Sequence, residues 1–469
     1  MEALINGIDN VNGFIYTYIL IILLIGVGVY FTIRTNFVQV RLFPEMFRVI
    51  TEKSESKNGV SAFQAFSISA ASRVGAANIA GVAMAIATGG PGAVFWMWIV
   101  AIIGMATGLI ESLLAQIYKV RDGENFRGGP AYYIQTALGK KWLAVLFAVL
   151  ISITFGLIFN SLQANTLANA MEEAFSFNPI IVGIVVALVT GLIIFGGVQR
   201  ISKITSIIVP VMAIFYVGVV AFVVFTNLNL IPNVLSLIVT EAFGFREAGV
   251  GLLVGALIEG ARRGLFSNEA GMGSVPHAAA AADVSHPVKQ GLVQSLGVFF
   301  DTIIICSATA FVILLSDVYQ SGAANGVALT QASLSDHLGS WAVGFVAIAI
   351  FFFAFSSLIG NYYYGESNIQ FIKNGTIWLQ VYRLAVVLMI VVGSYIEIGL
   401  AWGLADIFMA FTAAVNLIVI LLISKVAFAA IKDYQQQRKA GKDPVFYQKN
   451  IPGLKGADTW VDNESDKQS

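Results

Sequence analysis

The chain has 469 residues, of which 57% are hydrophobic and only 12% are charged, and its mean hydropathy is +0.80. Soluble domains carry about 25% charged residues, so this composition excludes a soluble globular protein and indicates a membrane protein. Because 27 basic residues balance 27 acidic ones, no net charge would attract nucleic acid. The single cysteine, Cys306, excludes a disulfide framework and is expected to be a small buried hydrophobe.

Eleven apolar segments approach or exceed the length of about 20 residues that crosses a bilayer. The first of them lacks the basic region and the cleavage site of a signal peptide, so we predict a retained helix. The expected fold class is an all-α polytopic membrane protein with eleven transmembrane helices. The segments cover residues 16–33, 60–87, 92–118, 142–168, 179–197, 204–226, 248–281, 287–315, 340–371, 376–396 and 401–428.

Basic residues are distributed unevenly between the loops. The loops after the odd-numbered segments and the C-terminal tail contain Lys and Arg repeatedly, whereas the opposite loops together hold one arginine. Since basic loops stay on the cytoplasmic side, we predict an N-terminus outside the cell membrane and a cytoplasmic C-terminus. The polar residues 431–469 are expected to form a solvated cytoplasmic tail without chemistry of its own.

The second and seventh segments are interrupted by Gly, Arg, Asn and Ser. Aligned without gaps, "ASRVGAANIAG" over 71–81 and "ARRGLFSNEAG" over 261–271 share five of eleven residues, among them a paired Arg and a paired Asn. The copies lie five segments apart and therefore cross the membrane in opposite directions, which is typical of inverted repeats with broken helices at a central site. We predict repeats over 59–230 and 231–430 after one extra helix in 1–58; close helix packing is the alternative explanation for the small residues.

Three motifs carry a resemblance to a known family. They are "GGPGAVFWMWIVAIIG" over 89–104, "RGGPAYYI" from Arg127 and "GLFSNEAGMGSVPHAAA" from Gly264. With them the chain resembles the alanine or glycine:cation symporter family along nearly its whole length. The resemblance implies a leucine-transporter-like fold with a five-plus-five inverted repeat, small neutral amino acids as substrates, and sodium as the coupling ion.

In the pattern that the resemblance implies, the substrate carboxylate lies at the break of the first core helix. Backbone N–H groups at the start of a half-helix are unsatisfied and attract an anion. The ammonium group would face carbonyl groups at the second break, where an aromatic side chain would also limit the pocket. The matching residues are Gly75, Ala76, Ala77 and Asn78 at the first break, and Gly260, Ala261 and Phe266 at the second.

Further polar residues lie on the fourth and ninth segments. Asn160 and Gln163 are one turn apart on one helix face, so they could bind substrate or join helices by hydrogen bonds. Asn361 and Tyr364 would line the pocket or an inner gate.

Sodium is a hard cation, so its ligands are expected to be oxygen atoms. The resemblance implies a site between the first broken helix and the ninth segment, and the sodium ion would be co-transported without an organic cofactor. Serine pairs in membrane helices also bond back to their own helix, and only the match to the broken helix favours ligation here. The expected ligands are the carbonyls of Ala71, Val74 and Phe353 and the hydroxyls of Ser356 and Ser357.

Three acidic residues were identified within the predicted spans, where an ionisable side chain indicates a functional site. Glu111 resembles in position a glutamate that stabilises the opposite helix break in related transporters, so we expect a structural bridge. Glu259 would pair with Arg262 or Arg73. Asp301 is a candidate for a second cation site or a proton relay.

The arginines of the two interrupted segments need partners, since each costs at least about 2.5 kcal/mol at a helix centre. Arg73 has no evident partner in the sequence. Arg262 and Arg263 would be gate residues or would extend toward the membrane surface.

The sequence argues against an enzyme or a pump, because it contains no catalytic constellation at membrane depth and no phosphate-binding loop. A passive channel would not need two matched broken helices. The alternative that stays open is a proton-coupled amino-acid carrier of the same fold. Its expected partners are a small neutral amino acid and membrane lipid, and a monomer is plausible.

Overall fold

Helices dominate the structure, as the apolar segments predict. The computed structural model of the chain describes residues 2–54, 59–123, 125–244, 249–322 and 325–461. The predicted domain boundary at residue 58 lies outside these residues.

The N-terminal region forms one long helix followed by two short ones. The long helix passes through a π-helical turn at Tyr16–Leu20. Its parts and the helices that follow are α1 (Glu2–Ile15), α2 (Ile21–Arg34), α3 (Val38–Arg41) and α4 (Phe43–Ile50).

The first predicted repeat contains eight helices and a two-stranded antiparallel ribbon within its described part. π-Helical turns at Ala77–Gly81 and Thr154–Phe159 lead into the sixth and tenth helices. The elements are α5 (Ala62–Arg73), α6 (Val82–Gly89), α7 (Gly92–Ile117), β1 (Val120–Asp122), β2 (Asn125–Arg127), α8 (Pro130–Leu138), α9 (Lys141–Ile153), α10 (Asn160–Phe175), α11 (Pro179–Ile194) and α12 (Gly197–Thr226).

The second predicted repeat has nine helices in its described residues, and a π-helical turn at Phe299–Cys306 joins two of them. The helices are α13 (Ile231–Ala242), α14 (Gly249–Asn268), α15 (Val275–Ala281), α16 (Pro287–Val298), α17 (Ser307–Leu314), α18 (Gly326–Leu338), α19 (Trp341–Ile372), α20 (Thr376–Gly393) and α21 (Ile398–Lys439). A short 3₁₀ turn at Val318–Ser321 lies between α17 and α18, and two more, at Gln448–Asn450 and Asp458–Trp460, follow α21.

Every one of the eleven predicted segments is helical, but the count of eleven spanning helices is not reached. Within the described residues, eight helices are long and apolar enough to cross a membrane, and the bent pair of α5 and α6 makes a ninth. Two predicted segments are missing from this set: the fifth, 179–197, forms the 16-residue helix α11, and the seventh, 248–281, is divided into α14 and α15. The helices α13 and α18 also occupy regions that the sequence analysis left as loops.

The second segment is broken, as its small and polar residues predict. A capping box of Ser61 and Gln64 starts α5, since each side chain accepts the backbone N–H of the other. The helix ends at Arg73, and the two halves of the span meet at an angle of 52°. The break at residues 74–76 therefore removes backbone N–H and C=O groups from the helical hydrogen-bond pattern within the second predicted segment.

The glycines of the motif over 89–104 serve close packing. A Cβ on Gly92 would collide with the backbone of Ala242, and one on Gly104 would lie 3.2 Å from Ala270 Cβ. Gly260 on α14 fits equally tightly against the carbonyl of Ala93. The motif thus brings α7 against α13 and α14, which is the usual role of small residues between membrane helices.

The prediction of a solvated tail after residue 431 is wrong for the described residues. The helix α21 continues to Lys439, and the chain then folds back over the helix ends. Phe446 is buried and donates its backbone N–H to Ser285 O, while the Trp460 indole donates to Gln116 O at 2.9 Å. Apolar residues that lie among the polar ones make these contacts, and the overall composition of the tail does not indicate them.

Several polar contacts join the tail to the rest of the chain. Lys289 lies between Asp443 at 3.1 Å and Glu52 at 2.8 Å, and His286 contacts Asp433 at 3.1 Å. Burial lowers the pKa of His286 against the opposing effect of Asp433.

Candidate functional site

The first break, residues 74–76, presents two backbone N–H groups to neutral side-chain amides. The Gly75 N–H donates to Asn78 Oδ1 and the Ala76 N–H donates to Gln163 Oε1, each at 2.9 Å. Gln163 lies on α10 and its side chain contacts this break. The sequence left open whether Gln163 binds substrate or joins helices. Both acceptors are uncharged oxygens, and a carboxylate would accept the same hydrogen bonds more strongly.

Space at the first break is small. A Cβ on Gly75 would lie 2.8 Å from Gln163 Nε2 and would also collide with the Ser357 hydroxyl. Ala77, within the turn that follows, is buried. Only a residue without a side chain fits where α5, α10 and α19 converge.

Four of the five proposed sodium ligands meet beside this break. The Ser357 hydroxyl donates to Ala71 O at 2.9 Å and contacts Phe353 O at 3.0 Å and Val74 O at 3.5 Å. The carbonyls of Ala71 and Val74 belong to the end of α5, where no helical N–H follows to bond them. Oxygen atoms from the end of α5 and from α19 therefore lie close together.

Ser356, the fifth proposed ligand, has different surroundings. Its hydroxyl donates to Phe353 O at 2.9 Å and approaches Met212 Sδ on α12 at 3.9 Å. Neither of its hydrogen-bond contacts involves the first break, so the two neighbouring serines form a matched pair for experiments.

Asp301 lies directly against the first break. Its carboxylate accepts hydrogen bonds from Asn78 Nδ2 at 2.7 Å, from the Thr302 hydroxyl at 3.1 Å and from the Ser267 hydroxyl. Asp301 thereby orients Asn78 so that the amide oxygen faces Gly75. The role as a second cation site or proton relay stays a prediction.

The second break lies at residues 269–274, after the end of α14. Gly271 and Gly273 adopt φ values of +90° and +78°, which favour glycine, and Glu269 has φ +57°. Glu111 on α7 accepts the N–H groups of both glycines at 3.1 Å, and Asn416 donates to the same carboxylate at 2.8 Å. This geometry agrees with the structural bridge expected of Glu111.

The predicted position of the second break, near Gly260, Ala261 and Phe266, is wrong. All three residues lie inside α14, which continues to Asn268. Phe266 packs against Phe159, with ring centroids 4.8 Å apart, and Gly260 serves helix packing. The gapless alignment matched identical residues, but the chain leaves the helix only where glycines and the Glu111 carboxylate can satisfy the freed N–H groups.

The arginines of α14 form an ion cluster. Arg263 is buried and binds Asp406 of α21 through two hydrogen bonds of 3.0 and 3.1 Å, and Arg262 pairs with Glu259 at 2.9 Å. The expected pairing of Glu259 with Arg262 is thus present, whereas extension of the arginines toward the membrane surface is wrong. The Arg262 guanidinium also lies 4.5 Å from the centre of the Tyr16 ring.

Arg73 is buried with a single hydrogen bond among the described residues, from Nη1 to Gln294 O at 3.2 Å. A Cβ on Gly297 would collide with the same nitrogen. Arg73 lies within electrostatic range of three carboxyl groups, those of Glu111, Glu269 and Asp301. Negative charge on Glu111 and Asp301 would offset part of the cost of burying Arg73.

Sequence reasoning missed three acidic residues in its own predicted spans, namely Glu269, Glu366 and Asp406. Glu366 contacts Arg383 at 3.4 Å, and Glu269 joins the two breaks. The rule that marks intramembrane ionisable residues applies to all three and was sufficient to find them.

Asn160 and Asn361 connect the fourth and ninth predicted segments. Asn361 Nδ2 donates to Asn160 Oδ1 at 3.1 Å, and Asn361 Oδ1 lies 2.6 Å from the Ser72 hydroxyl. The structure supports the alternative in which Asn160 joins helices, and binding of substrate by Asn160 stays a prediction. The Tyr364 ring lies one turn further, 5.4 Å from the ring of Phe155.

Known proteins are similar to this chain along nearly its whole length. The sequence model of the sodium:alanine symporter family matches residues 1–448. The amino-acid carrier protein AlsT of Bacillus subtilis is 56% identical over 467 residues, which cover 99% of this chain and 100% of that protein.

Two further relatives from the same bacterium are similar along their lengths. The probable sodium/glutamine symporter GlnT is 55% identical, over 98% of this chain and 97% of that protein. The putative sodium/proton-dependent alanine carrier protein YrbD is 44% identical, over 97% of each. The chain therefore belongs to the sodium:alanine symporter family and is a multi-pass membrane transporter, not an enzyme.

Proposed function

We propose that this chain is a secondary active symporter that imports small neutral amino acids, alanine and glycine, together with sodium by alternating access. The observation that carries the proposal is the adjacency of two unlike sites on one helix break. Backbone N–H groups of Gly75 and Ala76 are available for a carboxylate, and the carbonyls of Ala71 and Val74 meet the Ser357 hydroxyl.

This adjacency explains how two ligands would be coupled. The N–H groups and the carbonyls belong to the same short backbone segment, so binding of a cation to the carbonyls orders the N–H groups that receive the carboxylate. Ordering of a shared element by one ligand favours binding of the other, and the effect is reciprocal.

The narrow space at the break supports a small substrate. Gly75 has no room for a side chain, and Phe266 packs between Phe159 and Trp402 with ring centroids 4.8 and 5.3 Å away. The name of the relative GlnT makes glutamine the competing substrate. A longer side chain would have to displace one of these rings.

The orientation with the N-terminus outside also stays part of the proposal. In that orientation the ion cluster of Arg263 and Asp406 lies on the outer side of the second break, where it would seal the site from outside. The inner side is held by backbone pairing of Val60 with Ala282 and Asp283.

Uptake into proteoliposomes tests the proposal. The purified protein should accumulate labelled alanine when sodium is higher outside, and unlabelled glycine should compete better than unlabelled glutamine. Vesicles with potassium in place of sodium at the same pH are the control. Uptake that is indifferent to sodium at fixed pH would favour the proton-coupled alternative, which the name of the relative YrbD also suggests.

A further inference from the structure

A chain of side-chain contacts runs from the fourth predicted segment to the second helix break. It starts at Asn160 on α10, continues through Asn361 on α19 and Ser72 on α5, and ends at Glu269. All four residues are buried. Each of these contacts is direct, so each needs a hydrogen atom from one of the two side chains that it joins.

The direction of the first hydrogen bond is set by the backbone. Asn160 Nδ2 faces two main-chain carbonyl oxygens, Gly156 O at 3.3 Å and Leu358 O at 3.4 Å. Carbonyl oxygens only accept, so the amide nitrogen of Asn160 must lie on that side and its oxygen must face Asn361. Asn361 consequently turns its nitrogen to Asn160, at 3.1 Å, and its oxygen to Ser72.

Ser72 is then held between two acceptors. Its hydroxyl oxygen lies 2.6 Å from Asn361 Oδ1 and 2.7 Å from Glu269 Oε1. A hydroxyl carries one hydrogen, and the orientation of Asn361 requires that hydrogen for the amide oxygen. The contact with Glu269 therefore lacks a hydrogen unless the carboxyl group of Glu269 supplies it.

The other oxygen of Glu269 does not change this account. Glu269 Oε2 accepts the Ser274 hydroxyl at 2.6 Å, so the side chain has one accepting and one donating oxygen. This is the pattern of a neutral carboxylic acid and not of a carboxylate, which only accepts.

We propose that Glu269 binds a proton in this conformation, and that the bound proton closes the contact between the two helix breaks and must be present for transport to proceed. The proton is donated by Glu269 to Ser72, which donates to Asn361. This inference rests on the proposed transport function and adds a proton as a further ligand of the same site.

The charged and titratable groups around Glu269 act in both directions. Burial and the negative charge of Asp301 in the turn at Phe299–Cys306 favour the neutral acid, whereas the positive charge of Arg73 on α5 favours the ionised form. On α15, His277 donates its Nδ1–H to Ser274 O at 2.7 Å. Among the described residues, the charged or titratable groups near Glu269 and its contacts include Arg73, Glu111, His277, Asp301 and Tyr364.

Sodium-driven alanine uptake at several pH values tests the proposal, with the full-length protein in proteoliposomes and a constant sodium gradient. Wild-type uptake should fall about tenfold for each pH unit above a midpoint, because one proton is lost. Glu269→Gln places an amide N–H where the acid O–H donates, so its ratio of acid to alkaline uptake should fall close to unity. Ser72→Ala removes the acceptor of the proton and should move the midpoint to lower pH.

Infrared difference spectra of the purified protein between acid and alkaline pH provide a readout that does not depend on transport. The carbonyl band of a protonated carboxylic acid should be lost in Glu269→Gln and kept in Glu366→Gln, which changes a buried carboxyl group outside this chain of contacts. If the wild-type protein shows no uptake but the infrared band is lost in Glu269→Gln, the transport proposal is refuted and the assignment of the proton to Glu269 stands.

The opposite results overturn the inference. A wild-type pH profile in Glu269→Gln, or an infrared band that this variant retains, would show that Glu269 is ionised. Elution of the variants as single species from a sizing column checks their folding, and if Glu269→Gln fails this check, the Ser72→Ala midpoint decides alone. An unshifted midpoint in Ser72→Ala then contradicts the proposal.

Discussion

The two helix breaks of this protein differ in what occupies their backbone N–H groups. At the first break, the N–H groups of Gly75 and Ala76 are held by the neutral oxygens of Asn78 and Gln163. At the second break, the glycine N–H groups are held by the carboxylate of Glu111.

Under the proposed function, this difference would separate a binding site at the first break from a structural joint at the second. An incoming carboxylate replaces a neutral amide oxygen at a gain, since hydrogen bonds to a charged acceptor are about twice as strong. The same ligand would have to displace a carboxylate at the second break and would gain nothing. The first break is therefore the exchangeable one, and three substitutions test this contrast.

The largest effect is expected at the second break. Glu111→Ala leaves two buried backbone N–H groups and the amide of Asn416 without their acceptor. Each unsatisfied buried group costs about 1–3 kcal/mol, so the free energy of unfolding should fall by at least about 3 kcal/mol. Thermal unfolding of the purified protein in detergent measures the loss.

The exposed helical residue Glu173 on α10 provides the control. Glu173→Ala should change the free energy of unfolding by less than about 0.5 kcal/mol. Equal stability of the two variants would show that Glu111 does not hold the second break.

A smaller effect is expected on the cation side of the first break. Ser357→Ala removes the hydroxyl that meets Ala71 O and Val74 O, so the sodium concentration for half-maximal uptake should rise about tenfold, as loss of about 1.4 kcal/mol of binding implies. Ser356→Ala, whose hydroxyl makes no contact with the break, should raise it by less than about threefold. Sodium titrations of alanine uptake give both values, and an equal shift in the two variants would refute the assignment of Ser357.

The smallest effect is expected on the substrate side. Gln163→Glu would place a negative charge at the Ala76 N–H and repel the substrate carboxylate, so the KM for alanine should rise several-fold while sodium activation is kept. Gln135→Glu adds the same charge to an exposed position of α8 and is the control. An unchanged KM in Gln163→Glu would place the carboxylate elsewhere.

Sequence reasoning located the first break and its surroundings well because the information is local. A short run of small residues weakens a helix over 74–76, and the family resemblance supplied the match of Ser357 to Ala71. The second break was placed eight or more residues too early at Gly260 and Ala261 because the alignment relied on residue identity. Identity does not reveal which distant side chain satisfies the freed backbone groups.

The tail and the ion pairs were missed for a related reason. Trp460 and Phe446 are apolar residues in a polar stretch, and only their contacts with Gln116 and Ser285 explain why they are buried. Asp406 lies within a predicted span, but nothing in its neighbourhood along the chain indicates Arg263 as its partner.

By itself the sequence determined that this is a helical membrane protein and that its second segment is broken. The tertiary structure decided where the second helix ends, which carboxylate holds it, and how Glu269 meets Ser72. The physical reason is that helix propensity is a property of neighbouring residues, whereas a buried N–H group or carboxyl group takes its partner from any helix that packs against it.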